Sequence, residues 1–140
     1  MPDIFEQLEV WQLAMEYIDA IYVLAEKLPR SEDYNLKSQI VRAASSVALN
    51  IAEGSTGQTD AEQARFLGMA IRSLIETVAC QHLIRRRHYL SDESLINIVY
   101  SQSQILARKL QSFRKSLVPA SSRIREEPSP YFSETDEFQF

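Results

Sequence analysis

Ser38-Gln39-Ile40-Val41-Arg42-Ala43-Ala44-Ser45-Ser46-Val47-Ala48-Leu49-Asn50-Ile51-Ala52-Glu53-Gly54 decides the fold. It reads as a helix of unusually small residues that stops on a glycine. Small side chains let neighbouring helices approach closely, so this helix belongs at the centre of a bundle. Leu36, Ile40, Ala43, Val47 and Ile51 recur at helical spacing and mark its inner face. Gly54 suits the position just past the helix, where a left-handed backbone costs glycine little. Asn50 and Glu53 stand in the last turn, where a plain core helix rarely carries polar groups.

Working outward, a first helix is predicted from about Phe5 to Leu28 and ends at Pro29. Leu8, Trp11, Met15, Ile18, Tyr22 and Ala25 have the spacing of a bundle seam. Val10, Ala14, Ile21 and Leu24 add a second apolar face, which needs a covering from another helix or another subunit. After Ser55-Thr56-Gly57-Gln58, Thr59 or Asp60 caps a third helix running to about His88. Its seam is Leu67, Ile71, Leu74 and Val78, with Ile75 and Leu83 beside it. Ser91 caps a fourth helix that reaches about Leu117 on Leu95, Ile98, Val99, Gln102, Ile105, Leu106, Leu110 and Phe113. Four long helices with short links predict an all-α, antiparallel, up-down-up-down four-helix bundle. The bundle domain covers residues 1–118. Residues 119–140, with Pro128, Pro130 and many Ser and Glu, read as a disordered acidic tail.

A chain of 140 residues has room for one real core. Its net charge of −4 is uneven. Residues 118–140 hold two basic and five acidic residues, whereas the other 117 hold 13 basic and 14 acidic. The body is thus nearly neutral, which excludes a strongly basic nucleic-acid binder. No apolar run suffices for a membrane span, and the N-terminus has no signal-peptide pattern. The single cysteine, Cys80, fits a reducing cytoplasm and reads as buried filler. Catalysis finds little support. Ala79 and Arg85 stand three positions before His82 and His88, so the Glu-x-x-His pairs of di-iron bundles are missing. Gly54-Ser55-Thr56-Gly57 lacks the lysine of a phosphate loop. The sequence therefore predicts a non-enzymatic protein with no metal and no cofactor.

The order of motifs adds a family. Phe5 and Leu8-Glu9-Val10-Trp11 open the first helix, and Gln39-Ile40-x-Arg42-Ala43-Ala44 leads to Ser46-Val47 and Asn50-Ile51-Ala52-Glu53-Gly54. Arg65-Phe66-Leu67, Ala70, Ser73-Leu74, Glu76 and Tyr89-Leu90-Ser91 come next. In these features residues 5–117 resemble the bacterial four-helix-bundle proteins encoded by intervening sequences of 23S ribosomal RNA genes. The resemblance implies a bundle assembling as a homopentameric ring around a central channel. One branch of the family, the accessory subunit of diversity-generating retroelements, is markedly basic and binds a reverse transcriptase and RNA. This chain departs from that branch in its nearly neutral body.

Three groups of residues are candidate sites. Arg85, Arg86 and Arg87, with His88, end the third helix, where they either complement its dipole or contact phosphate. Arg65, Arg108, Lys109, Arg114 and Lys115 gather at the opposite end. In a ring each patch becomes a collar that grips RNA or DNA backbone without reading sequence. Arg42, Ser46, Asn50 and Glu53 form either a polar network that fixes helix register or a ligand site. Tyr131, Phe132, Phe138 and Phe140 mix with acids in the tail, as a solvated end, as a docking motif, or as a segment that folds back on a collar. The functional expectation is an oligomeric scaffold or accessory subunit of a larger assembly, with a ribonucleoprotein as one form of it. The competing reading is a protein–protein adaptor that does not bind nucleic acid.

Overall fold

The computed structural model describes residues 4–57 and 59–119. They form four helices: α1 (Glu9–Glu26), α2 (Leu36–Ser55), α3 (Asp60–Arg86) and α4 (Ser94–Ser116). Short 3-10 turns at Ile4–Gln7 and Arg30–Glu32 precede α1 and α2. Thr59 caps α3 as expected, its hydroxyl accepting from the Glu62 N–H at 3.1 Å. Ser91 does not cap α4. The helix begins at Ser94, and the Asp92 carboxylate accepts from the Ser94 N–H and hydroxyl at 2.9 and 3.0 Å. Those two bonds hold the Asp92 carboxyl below its ordinary range.

Gly54 also plays another part than the one its sequence suggests. It is buried inside α2, and no glycine has a positive φ among the described residues. A Cβ built on Gly54 would lie 2.8 Å from the Phe66 Cβ on α3. The glycine therefore permits close approach of two helices. The helix ends one residue later, where the Ser55 and Thr56 hydroxyls donate to the carbonyls of Ala52 and Glu53.

Each helix packs on its neighbour in sequence, and α4 closes back on α1. The contact between α2 and α3 is the most extensive. Gly54 meets Phe66, Ser46 meets Ser73 and Arg42 meets Glu76, so residue numbers fall on α3 as they rise on α2. Every helix contributes fully buried side chains: Ile21 and Leu24, Ile40 and Ile51, Leu67 and Leu74, Leu106 and Leu110. Each such residue contributes about 1.5–3 kcal/mol relative to an exposed one.

The second apolar face of α1 is the one buried most deeply, and the first leaves Met15 and Tyr22 outside. Val10, Ala14, Tyr17, Ile21 and Leu24 are buried, while Met15 and Tyr22 remain 42% and 49% exposed. Both stripes are apolar, so periodicity alone does not choose between them. The stripe inside includes Tyr17, whose hydroxyl finds partners there. The Tyr17 hydroxyl lies 2.8 Å from Thr77 Oγ1, and Gln81 Nε2 donates to it at 2.8 Å. Thr77 uses its own proton on the Leu74 carbonyl at 2.6 Å, so Tyr17 must donate to Thr77. A directed chain results, from Gln81 to Tyr17 to Thr77 to the α3 backbone. Burial pushes the Tyr17 hydroxyl far above its ordinary pKa, so it stays protonated. Gln81 Oε1 is buried with no hydrogen-bond partner. In α4 the seam shifts likewise: Ile96 is buried, whereas Ile98 and Ile105 are exposed. Cys80 is buried as expected, and burial with the nearby Glu76 carboxylate pushes its thiol up to about 11.

A second polar link ties the α3–α4 connection to the start of α2. The Tyr89 hydroxyl donates to Glu32 Oε2 at 2.5 Å, and Glu32 Oε1 accepts from Asn35 Nδ2 and the Leu36 N–H. These bonds, Tyr89 foremost, hold the Glu32 carboxyl below its ordinary range. A depressed folded-state pKa gives stability that is present above the unfolded value and is lost as pH falls through the folded one. Tyr89→Phe is expected to raise the Glu32 pKa and to flatten the acid limb of stability. Carboxyl-carbon NMR titration with urea unfolding checks both; an unmoved Glu32 titration would show that this bond is not formed in solution.

Candidate functional site

The surface offers two kinds of feature, cationic ends and apolar flanks. Arg85 lies at the corner where α3 turns into α4. Its guanidinium bonds Glu93 Oε2 at 2.8 Å and Asn97 Oδ1 at 2.5 Å. That side chain holds the corner together, and its charge is partly neutralised. Arg86 and Arg87 are exposed. Arg87 acts on the Glu32 carboxylate, lowering its pKa through charge. His82, Arg85, Arg86 and His88 line an open cavity of about 580 Å³. His88 sits in it with a left-handed backbone, φ 57°, a conformation that costs a side-chain-bearing residue energy.

At the other end of α3 the structure brings Arg65 and Arg114 together. They line one groove of about 500 Å³ with Asp60, Ala61, Ala64 and Leu117. Gly68 faces Arg114 on α4; a Cβ on it would lie in ordinary contact with Arg114 Nε at 3.5 Å. Arg65 stacks over the Phe66 ring at 4.6 Å. Arg108 and Lys115 are exposed. Lys109 instead turns to α1 and pairs with Glu9 at 3.0 Å. The two basic groups are therefore at opposite ends of α3, and ion pairs tie Arg85 to Glu93 and Lys109 to Glu9. Sequence reasoning does not single out His82 or Gly68 as site residues.

The polar group on α2 divides. Asn50 Nδ2 donates to the carbonyl and hydroxyl of Ser46 at 2.9 and 3.1 Å, and Ser73 from α3 donates to the same hydroxyl at 2.9 Å. Arg42 reaches Glu76 at 3.4 Å, and both are solvent-exposed. Glu53 is exposed. Asn50, Ser46 and Ser73 thus bridge α2 and α3.

The apolar flanks are broader. Met15 and Tyr22 extend a face of α1 begun by half-buried Trp11 and Ile18. On other helices Leu49, Leu83, Ile98 and Ile105 are all about half exposed or more. Scattered apolar residues are ordinary on a surface, but a stripe along one helix marks an interaction face. Tyr131, Phe132, Phe138 and Phe140 lie outside the described residues. Among the described residues, no three His, Cys, Asp or Glu side chains converge as a metal site would require. No described helix is long and apolar enough to cross a membrane.

A model of the 23S rRNA-intervening sequence protein family matches residues 6–112. The chain belongs to that family. Among solved structures it is similar to a protein of unknown function from the S23 ribosomal protein family of Bacteroides thetaiotaomicron VPI-5482. The TM-score is 0.68 at 24% identity, covering 76% of this chain and 95% of that one. That likeness carries the fold alone. No curated protein matches. The family match ends before the groove formed by Leu117 and its neighbours is complete, and before the acidic tail begins.

Proposed function

We propose that this member of the 23S rRNA-intervening sequence family is a non-enzymatic, cytoplasmic accessory subunit: an up-down-up-down bundle that closes into a homopentameric ring. The observation that carries the reading is the apolar face of α1 left uncovered at Met15 and Tyr22. Closed rings are a usual way for identical chains to cover such a face, and the number five comes from the family resemblance. The ring contacts nucleic-acid backbone at its two basic ends, through Arg86 and Arg87 at one and Arg65, Arg108, Arg114 and Lys115 at the other. Five copies of a weak patch bind together far more tightly than one. A reverse transcriptase is the protein partner the resemblance implies.

A second reading, a protein adaptor without nucleic acid, is favoured by the ion pairs of Arg85 and Lys109, which reduce the free positive charge. Light scattering coupled to size exclusion, with and without a short mixed-sequence RNA at low salt, separates the two. The expected mass is about five times the 16.1 kDa of the chain. It rises with RNA, and salt reverses the rise steeply because bound phosphates release counterions. A pentamer indifferent to RNA would leave the adaptor, and a monomer would end the ring proposal.

A further inference from the structure

The groove between the start of α3 and the end of α4 has an apolar floor, Ala61, Ala64 and Leu117, beside two guanidiniums, Arg65 and Arg114. Arg65 contacts a ring face and the Met69 sulfur, and neither carries a negative charge to neutralise it. Pro119, the last described residue, lines the same groove. The C-terminal segment complements the groove in both respects, apolar and electrostatic. Tyr131-Phe132-Ser133-Glu134-Thr135-Asp136-Glu137-Phe138-Gln139-Phe140 places aromatic residues on either side of Glu134, Asp136 and Glu137.

We propose that residues 131–140 seat in this groove of their own subunit, with aromatic rings on the alanine floor and carboxylates toward Arg65 and Arg114. Asp60 also lines the groove and opposes an acidic occupant, so the carboxylates lie on the arginine side. Reach is not limiting. Residues 120–130 separate Pro119 from Tyr131, and a stretch of that length can span at most roughly 36–40 Å. Tethering within one chain over a short span also gives effective concentrations on the order of a millimolar. A contact with a dissociation constant of about a millimolar is then half formed without any partner. The occupant is drawn from the part of the chain beyond the family match, and Pro119 brings the described chain to the groove.

The test uses full-length protein with labelled alanine methyls. Seated aromatic rings shift the Ala61 and Ala64 methyl signals upfield by ring current. Phe132→Ala with Phe138→Ala, substitutions outside the bundle core, is expected to abolish that shift. Arg65→Glu with Arg114→Glu is expected to reduce it. So is raising salt from about 0.1 to 1 M, which shortens the screening length from ~10 to ~3 Å. Alanine signals indifferent to the phenylalanine variant would overturn the proposal. Labelled variant chains mixed with unlabelled full-length chains supply the remaining arm. A shift regained on mixing would mean that the groove holds a neighbouring copy's tail, which also overturns it. The readout contains no nucleic acid, so either result is independent of RNA binding.

Discussion

Gly54→Val is expected to cost about 3 kcal/mol, the upper part of the range for overpacking a well-filled site. The added Cβ would fall 2.8 Å from the Phe66 Cβ. That atom is fixed to the α3 backbone, so no rotamer change relieves the clash. Either α2 and α3 move apart, and the Asn50–Ser46–Ser73 bridge with them, or the substituted helix frays. Gly54→Ala meets the same atom but gains about 1 kcal/mol of helix propensity, so its net loss is smaller. Gly68 supplies the control. A Cβ there lies at an ordinary 3.5 Å from Arg114 Nε, and Gly68→Ala is expected to be neutral or stabilising. Thermal unfolding checks all three, with a fall in Tm on the order of 10 °C for the valine. Equal effects at the two glycines would refute the assignment of Gly54 to helix contact.

The buried chain through Tyr17 predicts an asymmetry between partners. Tyr17→Phe leaves the Gln81 amide buried with neither its donor nor its acceptor satisfied. An orphaned buried polar group costs ~1–3 kcal/mol. Thr77 escapes, because it keeps its bond to the Leu74 carbonyl. Gln81→Met removes an amide whose Oε1 has no hydrogen-bond partner already, while Tyr17 keeps Thr77 as acceptor. That variant is expected near neutrality. The double variant, with both partners apolar and shape retained, should recover most of the Tyr17→Phe loss. A coupling of roughly 1 kcal/mol or more in urea-unfolding cycles would demonstrate the link. Strict additivity would mean that Tyr17 and Gln81 do not act together.

How much of this can be read from the residues depends on which signal each feature leaves. Four helices are legible because apolar residues recur at helical spacing over long runs with few breakers. The inner face of α2 is legible at Leu36, Ile40, Ala43, Val47 and Ile51, whereas the buried Ala44 and Ala48 stand beside that spacing. The inner face of α1 is not, because Trp11, Met15, Ile18 and Tyr22 are as apolar as the residues that are buried. Hydrophobic spacing says that a face is covered and is silent on whether the bundle or a neighbour covers it. Gly54 misleads for a related reason: a glycine near a helix end suggests a stop, and only the position of Phe66 shows a contact. Tyr17, Thr77 and Gln81 leave no trace, since their partners are 60 and 64 positions apart in the chain. For the candidate site, the separation of the basic groups is legible from helix order. The ion pairs that tie up Arg85 and Lys109 are not, because they depend on side chains from neighbouring segments.

Cys80 gives the chain a use that none of its charged groups offers. The reactive form of a cysteine is the thiolate, and a buried thiol pushed up to about 11 supplies almost none. A reagent in solution therefore meets this sulfur only while α3 stands away from its neighbours. The molecule carries a built-in clock: the rate at which one native atom is labelled tallies how often the bundle opens, with nothing engineered into it.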